Sequence, residues 1–385
     1  MGNPKERALR QWCERNNRVG LRCARWLLGW TLCLVAWCGF AEPHVVLIVV
    51  DGVRWQELTH GADERLVTDP LASGSLRSTA ELHRRFGGAT AAERRQRLWP
   101  FLWTQMIPDG QFFGDRERHS LVQVENDYWF SYPGYNEMLT GVADRAIASN
   151  AYGPNPNETV WERLEPRLTG AVAVYATWDK FHDIFNDRRS ALPVLAGQSL
   201  SLDDAAVHTA DEGALSDADF SVSDAQVMGQ LIRDLSVRRP QLLFVGFGEA
   251  DNWAHAKRYD EVLSHLQAVD RYIETLWSIY QRDPATRDQT TFIITTDHGR
   301  GAEPTTWSEH WRGIPGSNEA WLIVRGPSFS ARGAVSNVSI STAQVAATVA
   351  ACLHYDWRAV HPQAAMTLAM SADSVTGARA GVGAP

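Results

Sequence analysis

The chain has 385 residues, of which 44% are hydrophobic and 21% charged, proportions typical of a globular protein with a large buried core. Its formal net charge of −8 excludes a general nucleic-acid-binding protein, because phosphate backbones are held by Lys and Arg. We find no internal repeat and no low-complexity segment, which excludes a solenoid and a largely disordered chain.

The first 41 residues have the pattern of a signal peptide. A basic stretch precedes the apolar run 26–38, and Gly39-Phe40-Ala41 places small residues at −3 and −1 of a cleavage site. The pattern predicts export, to a periplasm or to the medium. A retained anchor is the alternative, but the apolar run is shorter than the roughly 20 residues that span a bilayer, so we expect no stable membrane span. Cleavage would remove seven basic and two acidic residues, giving −8 − 5 = −13, and would leave Cys352 without a disulfide partner.

Four apolar, β-branched runs predict strands that are buried on both faces of a sheet, and each run ends at polar residues. Asp51 follows the first, Trp178 and Asp179 the second, and Asp251 and Asp297 come after the third and fourth. The runs are residues 45–50, 171–177, 241–247 and 291–296, and shorter strands are predicted at 121–124 and 321–325.

Helical periodicity predicts four longer helices between these strands, at residues 91–106 with a break at Pro100, 224–237, 259–281 and 341–353. Residues 56–90 and 183–222 are polar and are predicted to be loop-rich insertions. The alternation of strands and helices predicts an α/β fold, a mostly parallel sheet between two helical layers. We expect one catalytic domain over residues 42–370 and a flexible tail over 371–385.

Acidic and imidazole side chains gather at the predicted strand ends. In open α/β sheets, ligands bind outside the carboxyl ends of the strands. Any one of these residues could instead cap a neighbouring element, but three carboxylates and three imidazoles together suit two divalent ions with mixed oxygen and nitrogen ligands. The set is Asp51, Asp251, His255, Asp297, His298 and, slightly downstream, His310.

Ser131 is the candidate nucleophile beside that set. It lies in a predicted Pro-Gly turn before a short helix at 135–139, and the N-terminus of a helix favours an anion. Metal coordination would lower the pKa of the hydroxyl and make it nucleophilic. The alternative is that Ser131 only caps the helix.

Taken together, these motifs resemble the alkaline phosphatase superfamily, and most of all its type I phosphodiesterase/nucleotide pyrophosphatase branch. The matching pieces span about residues 45–325, and each alone is a weak signal. They are the apolar strand before Asp51-Gly52, Phe130-Ser131-Tyr132-Pro133 with Leu139-Thr140-Gly141, Glu249 with Asp251 and His255, Thr296-Asp297-His298-Gly299, and His310.

The resemblance implies an alkaline-phosphatase-like three-layer α/β/α sandwich and two divalent ions, with Zn²⁺ favoured by the His ligands and Mn²⁺ as the alternative. It assigns Asp51, Asp297 and His298 to one ion, and Asp251, His255 and His310 to the other. It makes Ser131 the nucleophile that forms a phosphoseryl intermediate, and it places Asn150 against a phosphate oxygen. The implied substrate is a small phosphoric ester, a diester slightly favoured over a monoester.

The same residues bear on which other activities this scaffold could support. A sulfatase needs Arg where the stretch Ser131-Tyr132-Pro133-Gly134-Tyr135 has Tyr, which argues against sulfate ester hydrolysis. A phosphoglyceromutase-like enzyme would need a larger insertion than residues 142–240 allow. A phospho- or phosphoalcohol transferase remains an alternative, since the acceptor is chosen by loops. A metal-stabilised binding protein without turnover is disfavoured because Ser131 and all six ligands are present.

Three further residues are candidates for substrate contacts. Trp178 and Asp179 follow a predicted strand, and Trp253 lies between two of the predicted ligands. All three are predicted to face the cleft, where an aromatic wall would stack on the leaving group of a diester. The alternative is that the Trp side chains close the core around the sheet.

Overall fold

The computed structural model describes residues 42–200 and 222–371. The predicted signal peptide, residues 201–221 of the second predicted insertion and nearly all of the predicted tail lie outside these ranges, so the predictions for them stay predictions. In the ranges described, no helix is both long and apolar enough to cross a bilayer.

The structure alternates strands and helices from residue 44 onward. The strands are β1 (His44–Val50), β2 (Gln111–Phe113), β3 (Ser120–Gln123), β4 (Val172–Ala176), β5 (Val194–Ala196), β6 (Leu242–Phe247), β7 (Thr290–Thr295), β8 (Glu319–Ala320), β9 (Leu322–Arg325), β10 (Gly333–Ala334) and β11 (Val338–Ser341). The α-helices are α1 (Trp55–His60), α2 (Glu64–Thr68), α3 (Pro70–Ser73), α4 (Thr79–Phe86), α5 (Ala91–Leu98), α6 (Ser131–Thr140), α7 (Val160–Leu164), α8 (Phe181–Ile184), α9 (Asp224–Val237), α10 (Glu249–His255), α11 (Tyr259–Arg282) and α12 (Gln344–Cys352). Short 3₁₀ helices at Arg116–Arg118, Gly197–Ser199 and Trp357–Ala359, and a π-helix at Leu102–Met106, complete the list.

An eight-stranded sheet in the order β10-β2-β9-β7-β1-β6-β4-β5 forms the centre of the fold. All pairings in it are parallel except those of β9, which runs antiparallel to both β7 and β2. A smaller sheet, β11-β3-β8, lies apart from it. The mostly parallel sheet predicted from the sequence is confirmed.

Strand β1 shows why the fold has three layers. Its side chains alternate between two faces, and nearly all are fully buried. Val46, Ile48 and Val50 contribute to a core that includes the apolar faces of α9 and α11. Val45, Leu47 and Val49 contribute to a second core with α6, α7 and α12. Helices therefore cover both faces of the sheet, as predicted.

The register of the central strands sets the site. Val50 of β1 pairs with Phe247 of β6, and Val49 pairs with Thr295 of β7. All three strands are parallel, so Asp51, Gly248 and Thr296 leave the sheet at one edge. Asp51 is itself a predicted metal ligand, and the other predicted ligands follow Gly248 and Thr296 in the sequence.

Two predictions about local structure were wrong. Residues 56–90 are not mainly loop, because they contain α1 to α4. These helices are short and polar, but side chains of Asp63, Asp69 and Ser78 cap three of them, which supplies the N-terminal bonds that short helices need. The second predicted insertion contains β5, and the predicted helix at 341–353 begins at Gln344 because Ser341 ends β11.

Candidate metal centre

Two carboxylates and one imidazole meet where β1 and β7 end. Asp51 is buried, and Asp297 and His298 are fully buried. His298 Nε2 lies 3.5 Å from Asp51 Oδ1 and 3.4 Å from Asp297 Oδ2. Its Nδ1 bonds the carbonyl oxygen of Gly299 at 2.9 Å, and a carbonyl only accepts, so Nδ1 carries the proton. The lone pair of Nε2 is therefore free to bind a cation between the two acids.

A second group lies on α10 and in the loop after β7. His255 Nε2 lies 3.2 Å from Asp251 Oδ2, and His310 Nε2 lies 3.7 Å from Asp251 Oδ1. The two imidazole Nε2 atoms are only 2.9 Å apart. Nitrogens at that distance need a shared proton or a shared cation between them. Ligand atoms of these three residues all lie within 4.8 Å of one another, the spacing expected around one ion.

The two groups form one continuous site. The rings of His298 and His310 stack with centroids 4.0 Å apart. Asp51, Asp251 and His298 also offer ligand atoms within 4.8 Å of one another. The structure therefore brings all six predicted ligands into a single cleft at the carboxyl edge of the sheet.

Ser131 faces this site from the first turn of α6. Its Oγ lies 3.4 Å from Asp51 Oδ1 and 3.3 Å from His298 Nε2. The predicted Pro-Gly turn before the helix was wrong, because Ser131 is the first residue of α6 and Pro133 and Gly134 lie in its first turn. Proline is tolerated there, where its missing N–H costs no hydrogen bond.

Gly134 allows the close approach of α6 to the sheet. A Cβ at this position would lie 2.8 Å from the carbonyl oxygen of Asp297. Any larger residue would push the helix, and Ser131 with it, away from the end of β7. Asn150 supports the same turn, since its Oδ1 accepts the backbone N–H of Tyr132 at 2.9 Å. The residue that resemblance places near a phosphate oxygen therefore lies next to Ser131.

Two residues of the site were missed in the sequence. The Tyr135 hydroxyl, buried one turn after Ser131, donates to Asp51 Oδ2 at 3.0 Å. Arg300 is buried and forms a close ion pair with Asp251 Oδ1, and it donates to the carbonyl oxygens of Gly52 and Ser308. The sequence does contain an indication of the role of Arg300, because this Arg lies between two glycines directly after the predicted ligands Asp297 and His298.

Gly52 makes room for this ion pair. Its φ of +63° is a backbone conformation that L side chains rarely adopt, and an added Cβ would lie 2.5 Å from Asp251 Oδ1 and 3.0 Å from the Arg300 guanidinium. The backbone N–H of Gly52 donates to Asp297 Oδ1 at 3.0 Å. Because residue 52 is a glycine, the backbone after β1 can lie close to Asp251 of one group and Asp297 of the other.

The electrostatics of the site favour a bound cation. Burial raises the pKa of Asp51 well above its usual range, and the nearby Asp297 raises it further. Burial also raises the pKa of Asp297 and lowers that of His298. Three carboxylates crowd one cleft, and Arg300 balances only one of them.

An unpaired oxygen provides the structural test of whether a divalent ion fits. Asp297 Oδ2 is buried and accepts no hydrogen bond, although buried polar atoms are nearly always bonded. The donor set around it is carboxylate oxygen and imidazole nitrogen, which suits a divalent transition metal. The residues present therefore fit the metal ions that the sequence predicts.

The predicted substrate wall is not supported by the contacts of its members. Trp178 is buried and packs against Phe181 in the core, and the Asp179 carboxylate accepts the backbone N–H of Gln198 at 2.9 Å. Trp253 stacks on His265 of α11 and lies under the guanidinium of Arg258. Trp178 therefore belongs to one core and Trp253 is half-buried at the edge of the other, while contacts of these residues with a substrate stay a prediction.

Comparison with known proteins agrees with this geometry. The sequence model described as the Metalloenzyme superfamily matches residues 195–314, the region that contains five of the six predicted ligands. Over this region the chain is similar to that superfamily of metalloenzymes. No curated protein matches the chain by sequence.

Several solved structures share the fold of this chain. The lipoteichoic acid synthase LtaP from Listeria monocytogenes aligns with a TM-score of 0.52 and 11% identity over 82% of this chain and 73% of that chain. A putative sulfatase from Bacteroides thetaiotaomicron aligns with a TM-score of 0.51 and 12% identity over 82% of this chain and 71% of that one. At such low identity these similarities show the fold, and the fold class predicted from the sequence is confirmed.

Proposed function

We propose that this metalloenzyme is an exported hydrolase of phosphoric esters that uses Ser131 as its nucleophile. The observation that carries the proposal is the position of the Ser131 hydroxyl, which begins a helix and lies within 3.4 Å of both Asp51 and His298. The N-cap of α6 is Phe130 and Ser131 is the first helical residue, so the Ser131 hydroxyl does not occupy the capping position.

Two divalent ions, with Zn²⁺ favoured over Mn²⁺, would be held by the two groups of residues. Asp51, Asp297 and His298 would hold one, and Asp251, His255 and His310 the other. When bound, such ions supply Lewis acidity, which lowers the pKa of a neighbouring hydroxyl and neutralises charge that develops on phosphoryl oxygens.

The chain's own residues position the reaction. The Ser131 hydroxyl can donate to Asp51 Oδ1 at 3.4 Å, and Tyr135 holds that carboxylate through its other oxygen. Ser131 Oγ gives up its proton and attacks phosphorus; the Oγ–P bond forms, the bond to the leaving group breaks, and the leaving oxygen takes up a proton from solvent. Water then attacks the phosphoseryl phosphorus and loses a proton, the Oγ–P bond breaks, Ser131 Oγ is reprotonated, and phosphate or a phosphomonoester is released.

The electrostatic environment assists this reaction. The dipole of α6 favours negative charge next to Ser131, which lies at the N-terminus of the helix. Asn150 is close enough to this turn to orient a phosphate oxygen with its amide group, since its carbonyl oxygen already holds Tyr132. Such preorganised donors are a major source of rate enhancement in enzymes.

Sulfate ester hydrolysis is a weaker fit. The position where a sulfatase motif needs Arg is occupied by Tyr135, and its hydroxyl is committed to Asp51. Replacing it with Arg would place a second buried cation beside Arg300. Transfer to an alcohol in place of water remains the alternative for the second step, because it uses the same site.

Turnover of three chromogenic esters tests the proposal. Purified protein supplied with Zn²⁺ or Mn²⁺ should hydrolyse bis-p-nitrophenyl phosphate or p-nitrophenyl phosphate at least 100-fold faster than p-nitrophenyl sulfate. Ser131→Ala should lower that rate by at least 10³-fold, whereas Ser236→Ala, an exposed serine on α9, should not change it. Preferred turnover of the sulfate ester, or equal rates in the two Ser variants, would contradict the assignment.

A further inference from the structure

A second cluster of possible metal ligands lies outside the catalytic cleft. It joins three helices: Asp224 begins α9, Glu249 begins α10, and His265 lies on α11. One ligand atom from each residue lies within 4.8 Å of the others, which is the spacing around a single ion. None of these residues belongs to the two groups assigned to the catalytic ions.

Asp224 is buried, and its two carboxylate oxygens differ in their hydrogen bonding. Its Oδ1 accepts the backbone N–H groups of Gly248 at 3.0 Å and Glu249 at 3.4 Å. The whole residue is only 2% exposed, and its Oδ2 accepts no hydrogen bond from residues 42–200 or 222–371. An unpaired buried carboxylate oxygen is costly, because it has lost its hydration and gained no partner.

Glu249 increases that cost. Its Oε2 accepts the backbone N–H of Asp224 at 2.7 Å, so the two carboxylates lie side by side. In the part of the chain that the structure describes, neither acid forms an ion pair with Lys or Arg. The only basic partner is His265, whose Nδ1 lies 3.5 Å from Glu249 Oε2. Two adjacent acids of this kind repel each other unless a positive charge lies between them.

His265 is held in place by an aromatic contact. Its ring stacks on Trp253 with centroids 5.9 Å apart and an angle of 26° between the planes. The side chains of His265 and Glu249 are 24% and 16% exposed, so an ion has a path from solvent. Asp224 closes the inner end of the cluster. The arrangement is a partly enclosed pocket with two oxygen donors and one nitrogen donor.

We propose that Asp224, Glu249 and His265 bind a divalent cation at a site distinct from the catalytic centre. Two carboxylates with an imidazole favour Mn²⁺ or Zn²⁺ over Mg²⁺ and Ca²⁺, which prefer oxygen alone. The ion would join the starts of α9 and α10 to α11. Because α10 also carries Asp251 and His255, the site would fix the helix that supplies two catalytic ligands.

Metal equivalents bound per protein provide the test. Metal-free protein is titrated with Mn²⁺, and bound metal is measured by mass spectrometry of the elements after gel filtration. Asp224→Asn should bind one equivalent fewer than the wild type. Asn keeps the acceptor for Gly248 and Glu249 but removes the charge, and circular dichroism checks that the variant is folded.

A second variant and a matched control make the result decisive. His265→Gln changes a partly exposed side chain and should weaken the same equivalent by at least tenfold. His182→Gln makes the same change at a histidine that pairs with one acid, Asp187, at 2.5 Å, and it should retain every equivalent. If Asp224→Asn and His265→Gln both bind as much Mn²⁺ as the wild type and as tightly, the two acids share a proton and the site does not exist. The difference in equivalents is independent of whether the catalytic centre turns over phosphoric esters.

Discussion

Replacement of Arg300 by Met would remove a buried cation that pairs with a predicted ligand. Arg300 is 2% exposed and forms an ion pair with Asp251, whose side chain is 9% exposed. It also donates to the carbonyl oxygens of Gly52 at 2.9 Å and of Ser308. Met replaces the apolar stem of Arg but has no donors, so the change leaves one carboxylate and two carbonyl groups without these bonds.

The size of the effect follows from the burial of the pair. Removing one partner of a buried ion pair destabilises a protein by roughly 3–5 kcal/mol, because an uncompensated charge is left inside. That is a large part of the about 5–15 kcal/mol that stabilises a typical domain. We therefore expect the metal-free Arg300→Met protein to lose about 3–5 kcal/mol, and less when a divalent ion also faces Asp251.

Urea unfolding of the metal-free protein, followed by tryptophan fluorescence, measures this loss. Arg145→Met is the matched control, because Arg145 pairs with Asp127 at 3.0 Å but its side chain is 86% exposed. Surface pairs contribute about 0–1 kcal/mol. Equal destabilisation by the two substitutions would refute the view that Arg300 compensates a buried charge at the site.

Three further predictions concern other parts of the chain. Trp253→Ala should lower stability by up to about 3 kcal/mol, because Trp253 packs on His265. It should also reduce kcat/KM for aryl and alkyl phosphate esters by the same factor. A selective rise in KM for the aryl ester would instead support a substrate contact by Trp253. Burial raises the pKa of Asp270 from 3.8 to about 6, against the bonds that it accepts from Phe101 and Leu102. The folded state therefore binds the Asp270 proton more tightly than the unfolded state, and the free energy of unfolding should fall by up to about 3 kcal/mol as the pH rises from about 4 to about 6.5. Asp270→Asn should remove this pH dependence in urea titrations. An unchanged dependence would show that Asp270 is not its source. N-terminal sequencing of the exported protein should begin at Glu42, and an intact Met1 would indicate a retained segment.

The sequence was sufficient to predict that the candidate ligands meet, because strand ends are the simplest feature to recognise. The short, β-branched run at residues 291–296 favours a buried strand, and parallel strands bring the residues that follow them to one edge of the sheet. The proximity of Asp51, Asp297 and His298 was predicted from that rule, and the structure places them together. The apolar face of α11 was equally clear, since Val262, Leu266, Val269 and Ile273 recur at helical spacing and are buried.

Features that depend on contacts between residues distant in the sequence could not be predicted. Arg300 meets Asp251 across 49 positions of sequence, and no periodicity indicates that approach. The orientation of Trp253 on α10 could not be known before the position of His265 on α11. Helices α1 to α4 were missed because they are polar and short, and their caps and tertiary contacts stabilise them more than their propensity does.

The position of Ser131 illustrates the limit of turn chemistry. Pro133 and Gly134 are residue types typical of turns, so the sequence alone predicts a turn at this position. In the structure both lie in the first turn of α6, where Pro is tolerated and Gly lets the helix approach Asp297. Ser131 stays a candidate nucleophile, and its helical position depends on the packing of α6 on the sheet, which the sequence does not show.

Detection of the covalent intermediate tests the central claim most directly. Metal-loaded protein is mixed with bis-p-nitrophenyl phosphate, quenched in acid within the first turnover, digested and analysed by peptide mass spectrometry. The account predicts a phosphorylated or aryl-phosphorylated Ser131 in the quenched sample and none in Ser131→Ala. Efficient turnover with an unmodified Ser131 at every quench time, and activity retained in Ser131→Ala, would contradict it and leave water as the nucleophile.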